Sequence, residues 1–442
     1  MKKITKTLTA LLIVGLFFSC KHNNSVTPDE EPKSDPGTQT TTEQKPEEKP
    51  PVDEKVEAVT FSVAAGDITE YTTVALTSAT ADAVIYYAYA EGEAAATLTK
   101  ENYASAAKYE APVEIVESGT LYAIAVKGSK VSEITSAAYK AVAPADAMRN
   151  WTAESEAKAY SVYKFADLEK VAEVVNGGKD LAGVTITQKK NIKINESVLG
   201  EKFAEPEEAE GAEPNASLKN FAGIGSKDKL FAGTYDGDKK VISGLYIYGG
   251  QQGLGFFGGL NAATIKNVII LDGCVINKNV WEGLDSKGVA SHDGSDDDRF
   301  GGLVGITKKG ESNIENCLFV GTVGSKVAKE RGKAYDEAEK NPYEYIGGIV
   351  GRVESDTTAN LTNCFSLVKL YGSSAALVKK VSGKANCKDC IGVSLDKKVY
   401  KTKDAESDAL DAEGGVTKAE IIEAAKTACG IDITDYFTKA GL

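Results

Sequence analysis

The sequence predicts an all-β protein: a disordered N-terminal stalk, a small β-sandwich, and a right-handed parallel β-helix with helical caps. Three observations carry this. Gly (43) and Tyr (19) are abundant while Met and Trp number 2 each, a balance that suits strands and turns better than helices. Short β-rich runs separated by turn residues fill 57–142. A glycine-bracketed tetrapeptide then recurs as Gly255-Phe256-Phe257-Gly258, Gly302-Leu303-Val304-Gly305 and Gly348-Ile349-Val350-Gly351, with Ala376-Leu377-Val378 as a degenerate fourth copy.

The chain opens with Lys2, Lys3 and Lys6, then an apolar run from Leu8 to Phe18, then Ser19 and Cys20. The run is too short to span a bilayer, which takes about 20 residues, so 1–19 reads as a secretory signal. Leu16-Phe17-Phe18-Ser19-Cys20 resembles a lipobox, with Phe17 where Leu is usual, as in the relaxed boxes of spirochaetes and Bacteroidetes. That resemblance implies acylation of Cys20 and a lipid-anchored protein at the outer membrane or cell surface. Two or more acyl chains make such an anchor stable. The rival reading is an ordinary signal cut elsewhere.

Loss of the three signal lysines takes the net charge from −13 to −16. So acidic a chain repels phosphate backbones, and nucleic acid is not an expected partner. His22 and His292 are the only histidines, which argues against a Ser-His-Asp enzyme and a multi-histidine zinc site. The segment 20–56 is rich in Pro, Glu, Lys and Thr, cannot bury enough surface to offset its ordering entropy, and reads as a disordered linker. Fully extended, it reaches on the order of 100 Å at about 3.1 Å per residue.

The second region, 57–142, contains β-rich runs at Val59–Val63, Thr73–Leu76, Val84–Tyr89, Val113–Val116 and Thr120–Val126, the spacing of a sandwich. Phe61-Ser62, Val74 to Thr80, Ala83 to Tyr87, Leu121 to Lys127 and Ser132 to Tyr139 resemble the chitobiase C-terminal-type domain. The resemblance implies an Ig-like accessory module without catalysis. Tyr86, Tyr87 and Tyr89 could form a sugar platform, against the plainer reading that they alternate between the core and the surface of one strand.

In 150–442 a second element follows each tetrapeptide: Asn267-Val268-Ile269, Asn316-Cys317-Leu318, Asn363-Cys364-Phe365 and Asp389-Cys390-Ile391. Each repeat is too small to bury its own apolar face, so repeats must stack. The asparagines are expected to form an amide ladder at a turn, and Cys317, Cys364 and Cys390 an inward stack. Phe231 to Gly237, Ile242 to Ile247, Phe165 to Leu168 and Val175 to Gly178 resemble the GLUG family of bacterial surface proteins. That likeness implies a surface role, often adhesin-like. Phe165 to Asn176 has helical apolar spacing and a Gly177-Gly178 stop, and is expected to cover the first turn of the stack. Thr417 to Cys429, ending at Gly430, is expected to cover the last.

Repeat spacings of 47, 46 and 28 residues imply two insertions of roughly 20 residues at equal phase, Asn277 to Arg299 and Gly324 to Tyr345. Long loops on a rigid scaffold are where binding concentrates. Trp281, His292, Tyr335, Tyr343 and Tyr345 are the candidate ligand-binding residues, because exposed rings stack on sugars and anchor protein partners. Asp293, Asp296, Asp297 and Asp298 could supply oxygen ligands to calcium, against the plainer reading of a solvated acidic loop; no other cofactor is expected. The function expected is a monomeric, non-catalytic binding or adhesion protein for a glycan or a host or neighbour protein. The alternatives are a β-helix polysaccharide lyase or hydrolase, with Arg299 or Arg352 assisting the aspartates, and a structural envelope protein.

Overall fold

The computed structural model describes residues 55–92, 98–204, 217–277, 298–324, 344–370, 374–395, 398–402 and 417–441. Among the described residues, strands hold 45% and helices 13%, so the all-β class expected from composition is observed. Among the described residues, no helix is long and apolar enough to cross a membrane. The signal, Cys20 and nearly all of the linker lie outside the described residues.

From Val56 to Val142 the strands are mostly antiparallel. Val84–Glu91 and Thr135–Val142 flank Gly119–Lys127, and Gly66–Thr69 adds to the edge of Thr135–Val142 in parallel. Alternation along Gly119–Lys127 puts Leu121, Ala123 and Ala125 on one face. They pack there with Val59, Val74, Leu76 and Ile115 in a core of their own.

Beyond residue 158 the strands pair in parallel, except for the last, and the chain moves among four sheets. Sheet 1 has seven strands: Ala159–Val162, Thr185–Gln188, Thr234–Asp236, Thr264–Lys266, Glu311–Glu315, Thr358–Thr362 and Lys384–Lys388. Sheet 2 includes Val241–Ser243, Ile269–Asn277, Leu318–Val323, Phe365–Leu370 and Cys390–Ser394. Sheet 3 is Asp298–Gly301, Glu344–Gly347 and Ser374–Ala375, and sheet 4 is Phe257–Asn261, Val304–Lys309, Val350–Val353 and Val378–Val381. From Glu311 onward the chain passes from sheet 1 to 2, 3 and 4, and then back to 1.

The registers align the repeats read from the sequence. Phe257, Val304, Val350 and Val378 are paired in one column, and Ile269, Leu318, Phe365 and Ile391 in another. Each column is a line of side chains at one phase, and burying it removes apolar surface at about 25 cal/mol per Å². Tyr160, Ile186, Tyr235, Ile265, Ile314, Leu361 and Cys387 form the inward column of sheet 1, and all seven belong to the main core. Glycines bracket sheets 3 and 4 because the backbone doubles back tightly there: a Cβ on Gly348 would stand 1.9 Å from the Ala376 carbonyl oxygen.

The corner between sheets 1 and 2 repeats exactly in kind. Asn267, Asn316, Asn363 and Asp389 all have positive φ, at 55°, 53°, 51° and 53°, a conformation that Asn and Asp tolerate better than other residues with a Cβ. The Asn316 amide donates to Asn267 Oδ1 at 3.2 Å, and the Asn363 amide to Asn316 Oδ1 at 3.1 Å. A second ladder, not anticipated from sequence, runs outside sheet 1 through Asn313, Asn360 and Asn386. One step past the corner, Cys317, Cys364 and Cys390 are fully buried, and neither they nor Cys274, Cys387 and Cys429 are in a disulfide.

Helix α1, Phe165–Asn176, turns Leu168, Val171, Ala172 and Val175 into the core beside Tyr160, Val162 and Ile186. Its start is set by Asp167, whose carboxylate accepts from the backbone N–H groups of Tyr163 (2.9 Å) and Lys164 (3.2 Å). Helix α2, Lys418–Cys429, begins at a Thr417–Glu420 capping box and ends at left-handed Gly430. Helix α3, Thr434–Ala440, follows.

The sequence places α2 over the last turn of the stack, but it lies elsewhere. Ile421, Ala425, Cys429 and, from α3, Phe437 cover Ile269, Leu318, Phe365 and Ile391 on the outer face of sheet 2. That face is apolar along four successive strands and needs covering, much as a sheet buried on both sides does. The edge of sheet 2 is blocked instead by Lys398–Thr402, which pairs antiparallel with Cys390–Ser394.

The corner residues can be tested by a pair of substitutions. Asn316→Ala must hold a left-handed backbone with a Cβ and breaks both ladder bonds, and is expected to cost about 2–4 kcal/mol. Asn316→Gly removes the backbone strain and keeps only the ladder loss, for about 1–2 kcal/mol. Urea denaturation of both variants checks the order; equal losses would mean that strain contributes nothing there.

Candidate functional site

The corner between sheets 2 and 3 is where the repeats differ. Four successive passes leave sheet 2 at matched positions: Tyr246–Gly249 pairs with Cys274–Asn277, Val275 with Val323, and Val323 with Leu370. They return at matched positions too. Leu254 bridges Phe300, Asp298 pairs with Glu344, Arg299 with Tyr345, and Ile346 with Ser374. The first and last connections are short, 250–253 and 371–373, while 278–297 and 325–343 are long. Both insertions therefore begin and end on neighbouring strands.

At their return, Phe300 and Ile346 point into the core. The preceding pair, Arg299 and Tyr345, lies on the opposite face by strand alternation. Arg299 is nonetheless largely buried, at 8% exposure. Its Nη2 stands 3.4 Å from Glu354 Oε1, and Arg352 Nη2 stands 3.1 Å from Glu354 Oε2. The Arg352 guanidinium also sits 5.3 Å from the Tyr345 ring centroid, within cation–π range. Glu354 is fixed from the backbone as well, since its N–H donates to the Thr307 carbonyl at 3.0 Å and its carbonyl accepts from Thr357 Oγ1 at 2.8 Å.

Next to this group, Lys308 Nζ donates to Asp228 Oδ1 at 3.0 Å and to the Lys227 carbonyl at 2.9 Å. The hydrogen bond from Lys308 holds the Asp228 carboxyl below its ordinary range against a partial burial that would raise it, helped by the charges of Lys308, Lys227 and Arg299. The framework at this corner thus presents guanidinium groups, a shared carboxylate and a ring. Such groups offer planar hydrogen-bond forks and a stacking face.

Of the residues expected to bind ligand, Tyr345 is placed at this corner. Trp281, His292, Tyr335 and Tyr343 lie outside the described residues, as do Asp293, Asp296 and Asp297 of the calcium candidate. Asp298 opens a strand of sheet 3, opposite Glu344. Among the described residues, no group of three or more His, Cys, Asp and Glu could hold a metal. The tyrosines of the antiparallel module do not make a platform: Tyr87 and Tyr89 pack against that module's core, and Tyr86 tilts at 60° to Tyr103. Sequence reasoning missed Glu354. The available signal was its place two residues after Arg352, just past the third glycine tetrapeptide.

A scan against family models finds no match, and a search of curated proteins finds none. Among solved structures, a crystal structure described as a "putative immunoglobulin A1 protease" from Bacteroides ovatus is similar over 62% of this chain and 88% of its own, at 16% identity and a TM-score of 0.29. A likeness that remote carries no argument about fold or activity.

Glu354 gives a direct check on the framework of this corner. Its two arginine partners have side chains only 10% and 13% exposed, and removing one member of a buried ion pair costs about 3–5 kcal/mol. Glu354→Ala is expected to lose about that much in chemical denaturation. A loss below about 1 kcal/mol, the ordinary worth of an exposed pair, would contradict the buried-pair description.

Proposed function

We propose that this chain is a lipoprotein anchored through acylated Cys20 at the outer membrane or cell surface, where it acts as a non-catalytic binding or adhesion protein. In this reading, residues 20–56 are a disordered stalk and 57–142 are an Ig-like sandwich of the chitobiase C-terminal type. Residues 150–442 form a right-handed parallel β-helix of the GLUG type. The passage from sheet 1 to 2, 3 and 4 and back, from Glu311 onward, supports the β-helix assignment.

The observation that carries the functional reading is the pairing of the two insertions. Their ends meet at Asp298–Glu344 and Arg299–Tyr345 on one short sheet, so both insertions are anchored on neighbouring strands. Two adjacent long loops can build one surface wide enough to hold a glycan or a protein ligand. Calcium at Asp293, Asp296, Asp297 and Asp298 would be an accessory to such a surface.

The test is binding of residues 57–442 to an array of glycans and matrix proteins, beside a Trp281→Ala/Tyr343→Ala form and a Tyr345→Ala form. A specific ligand is expected, with affinity falling at least about tenfold, or ~1.4 kcal/mol, in the variants. Absence of any ligand would favour the structural envelope reading, and binding unchanged in both variants would remove the site from this corner.

A further inference from the structure

The antiparallel module and the parallel sheets keep separate apolar cores, and polar and aromatic contacts join them. Arg149, in the short 3-10 turn Met148–Asn150, lies at the centre. Its guanidinium donates to Glu70 of the antiparallel module and, at 2.7 Å, to Asp167 of α1, while its backbone N–H donates to Asp167 at 3.1 Å. Glu70 also accepts from Lys164 at 3.0 Å, and Lys164 donates to Glu117 of the module at 2.8 Å. Tyr71 stacks on Tyr163 with centroids 5.4 Å apart, and its hydroxyl donates to the Tyr163 carbonyl at 3.1 Å. Lys190 pairs with Glu114 and lies 4.7 Å over the Tyr71 ring.

These contacts surround the first strand of sheet 1, Ala159–Val162. On one side it pairs with Thr185–Gln188 along its whole length. On the other it meets residues 146–147: Ala147 forms a parallel bridge to Ser161, the Ser161 N–H donates to the Asp146 carbonyl at 2.7 Å, and the Asp146 carboxylate accepts from Ser161 Oγ at 2.5 Å and from the Tyr163 hydroxyl at 3.1 Å. The segment held over this edge is the one that carries Arg149. We propose that the Glu70–Arg149–Asp167 contact is an autoinhibitory lock, which keeps the edge of Ala159–Val162 from taking a strand of a second copy of this chain.

The occupant follows from the architecture. Sheet 1 is parallel throughout, and its opposite edge is Lys384–Lys388, which pairs with Thr358–Thr362. Tyr160 and Cys387 are the two ends of one inward column. Head-to-tail addition of one copy's Lys384–Lys388 to another's Ala159–Val162 would continue the ladder. Such an interface is heterologous and does not close, so it would build chains of copies rather than a dimer. The exposed Lys384 and Lys388 would approach the carboxylates of Asp146, Glu70 and Glu117 once the lock is open. A joint made of ion pairs and two rings, with no shared apolar core, is the kind that can open without unfolding either side.

The test uses residues 21–442, with mass followed by light scattering over a range of concentrations. Wild type is expected to run as a single chain. Arg149→Ala is expected to retain its β circular dichroism and to grow in mass with concentration, to two chains and beyond. Adding Ser161→Pro, which removes an edge N–H in the middle of that strand, is expected to return it to a single chain. Should Arg149→Ala unfold, Arg149→Gln takes its place with the same expectations, since it keeps the side-chain length and loses the charge that meets both Glu70 and Asp167. A folded lock variant that stays a single chain at every concentration overturns the proposal. So do larger species that persist with Ser161→Pro, or a wild type that is already multimeric.

Discussion

Everything in the parallel part depends on the chain turning at the same place on every pass. Asn267, Asn316, Asn363 and Asp389 take the left-handed conformation at the corner between sheets 1 and 2, and the three asparagines are tied by side-chain amides. One residue more or fewer at that corner would flip the following strand and put its inward column on the surface. Because the corner is kept, Ile265, Ile314, Leu361 and Cys387 stay in one column, and Val268, Cys317, Cys364 and Cys390 follow in another. Burial pushes the Cys364 thiol well above its ordinary range and Cys429 up to about 12. The stacked sulfurs are therefore packing groups, poor in reactive thiolate at neutral pH.

The same regularity creates two liabilities, an apolar outer face and open edges, and the chain meets each differently. Sheet 2 carries Ile269, Leu271, Leu318, Val320, Phe365 and Leu367 outward, and α2 and α3 lie across them. Asp272 helps to hold that cover. Its carboxylate accepts from the N–H groups of Val198 (2.8 Å) and Leu199 (3.0 Å), and Lys439 of α3 approaches it at 3.5 Å. The first edge of sheet 1 is met by residues 146–147 and the antiparallel module, and the last edge of sheet 2 by an antiparallel strand. Sheet 1, by contrast, shows a polar outer face of Thr185, Thr234, Thr264, Asn313 and Asn360, which needs no cover.

The parts of this arrangement legible in the sequence are those set by short-range spacing. The glycine tetrapeptides gave the phase of sheets 3 and 4, the Asn-X-apolar element that of sheet 2, and the apolar period and Gly177-Gly178 the limits of α1. What could not be read depends on contacts between distant residues. The range of α2 follows from Thr417, Glu420 and Gly430, but its position follows from the apolar face of sheet 2, which no local pattern links to residue 421. Arg149 reads as an isolated charge in a loop until Glu70 and Asp167, 79 and 18 residues away in sequence, are brought beside it. The candidate site divides the same way: equal phase identified the corner and Tyr345, whereas Glu354 became visible only with its two arginines in place.

In the proposed reading the framework is self-sufficient and the two insertions are additions that carry recognition. The connections 250–253 and 371–373 already close the same corner with a few residues, so a long connection is not a folding requirement there. The most direct test replaces 278–297 and 325–343 with bridges as short as the one at 371–373, then measures thermal unfolding and ligand binding of the same protein. The account predicts a cooperative transition within a few degrees of wild type, with binding abolished. Loss of cooperative unfolding, or binding that survives without the insertions, would contradict it.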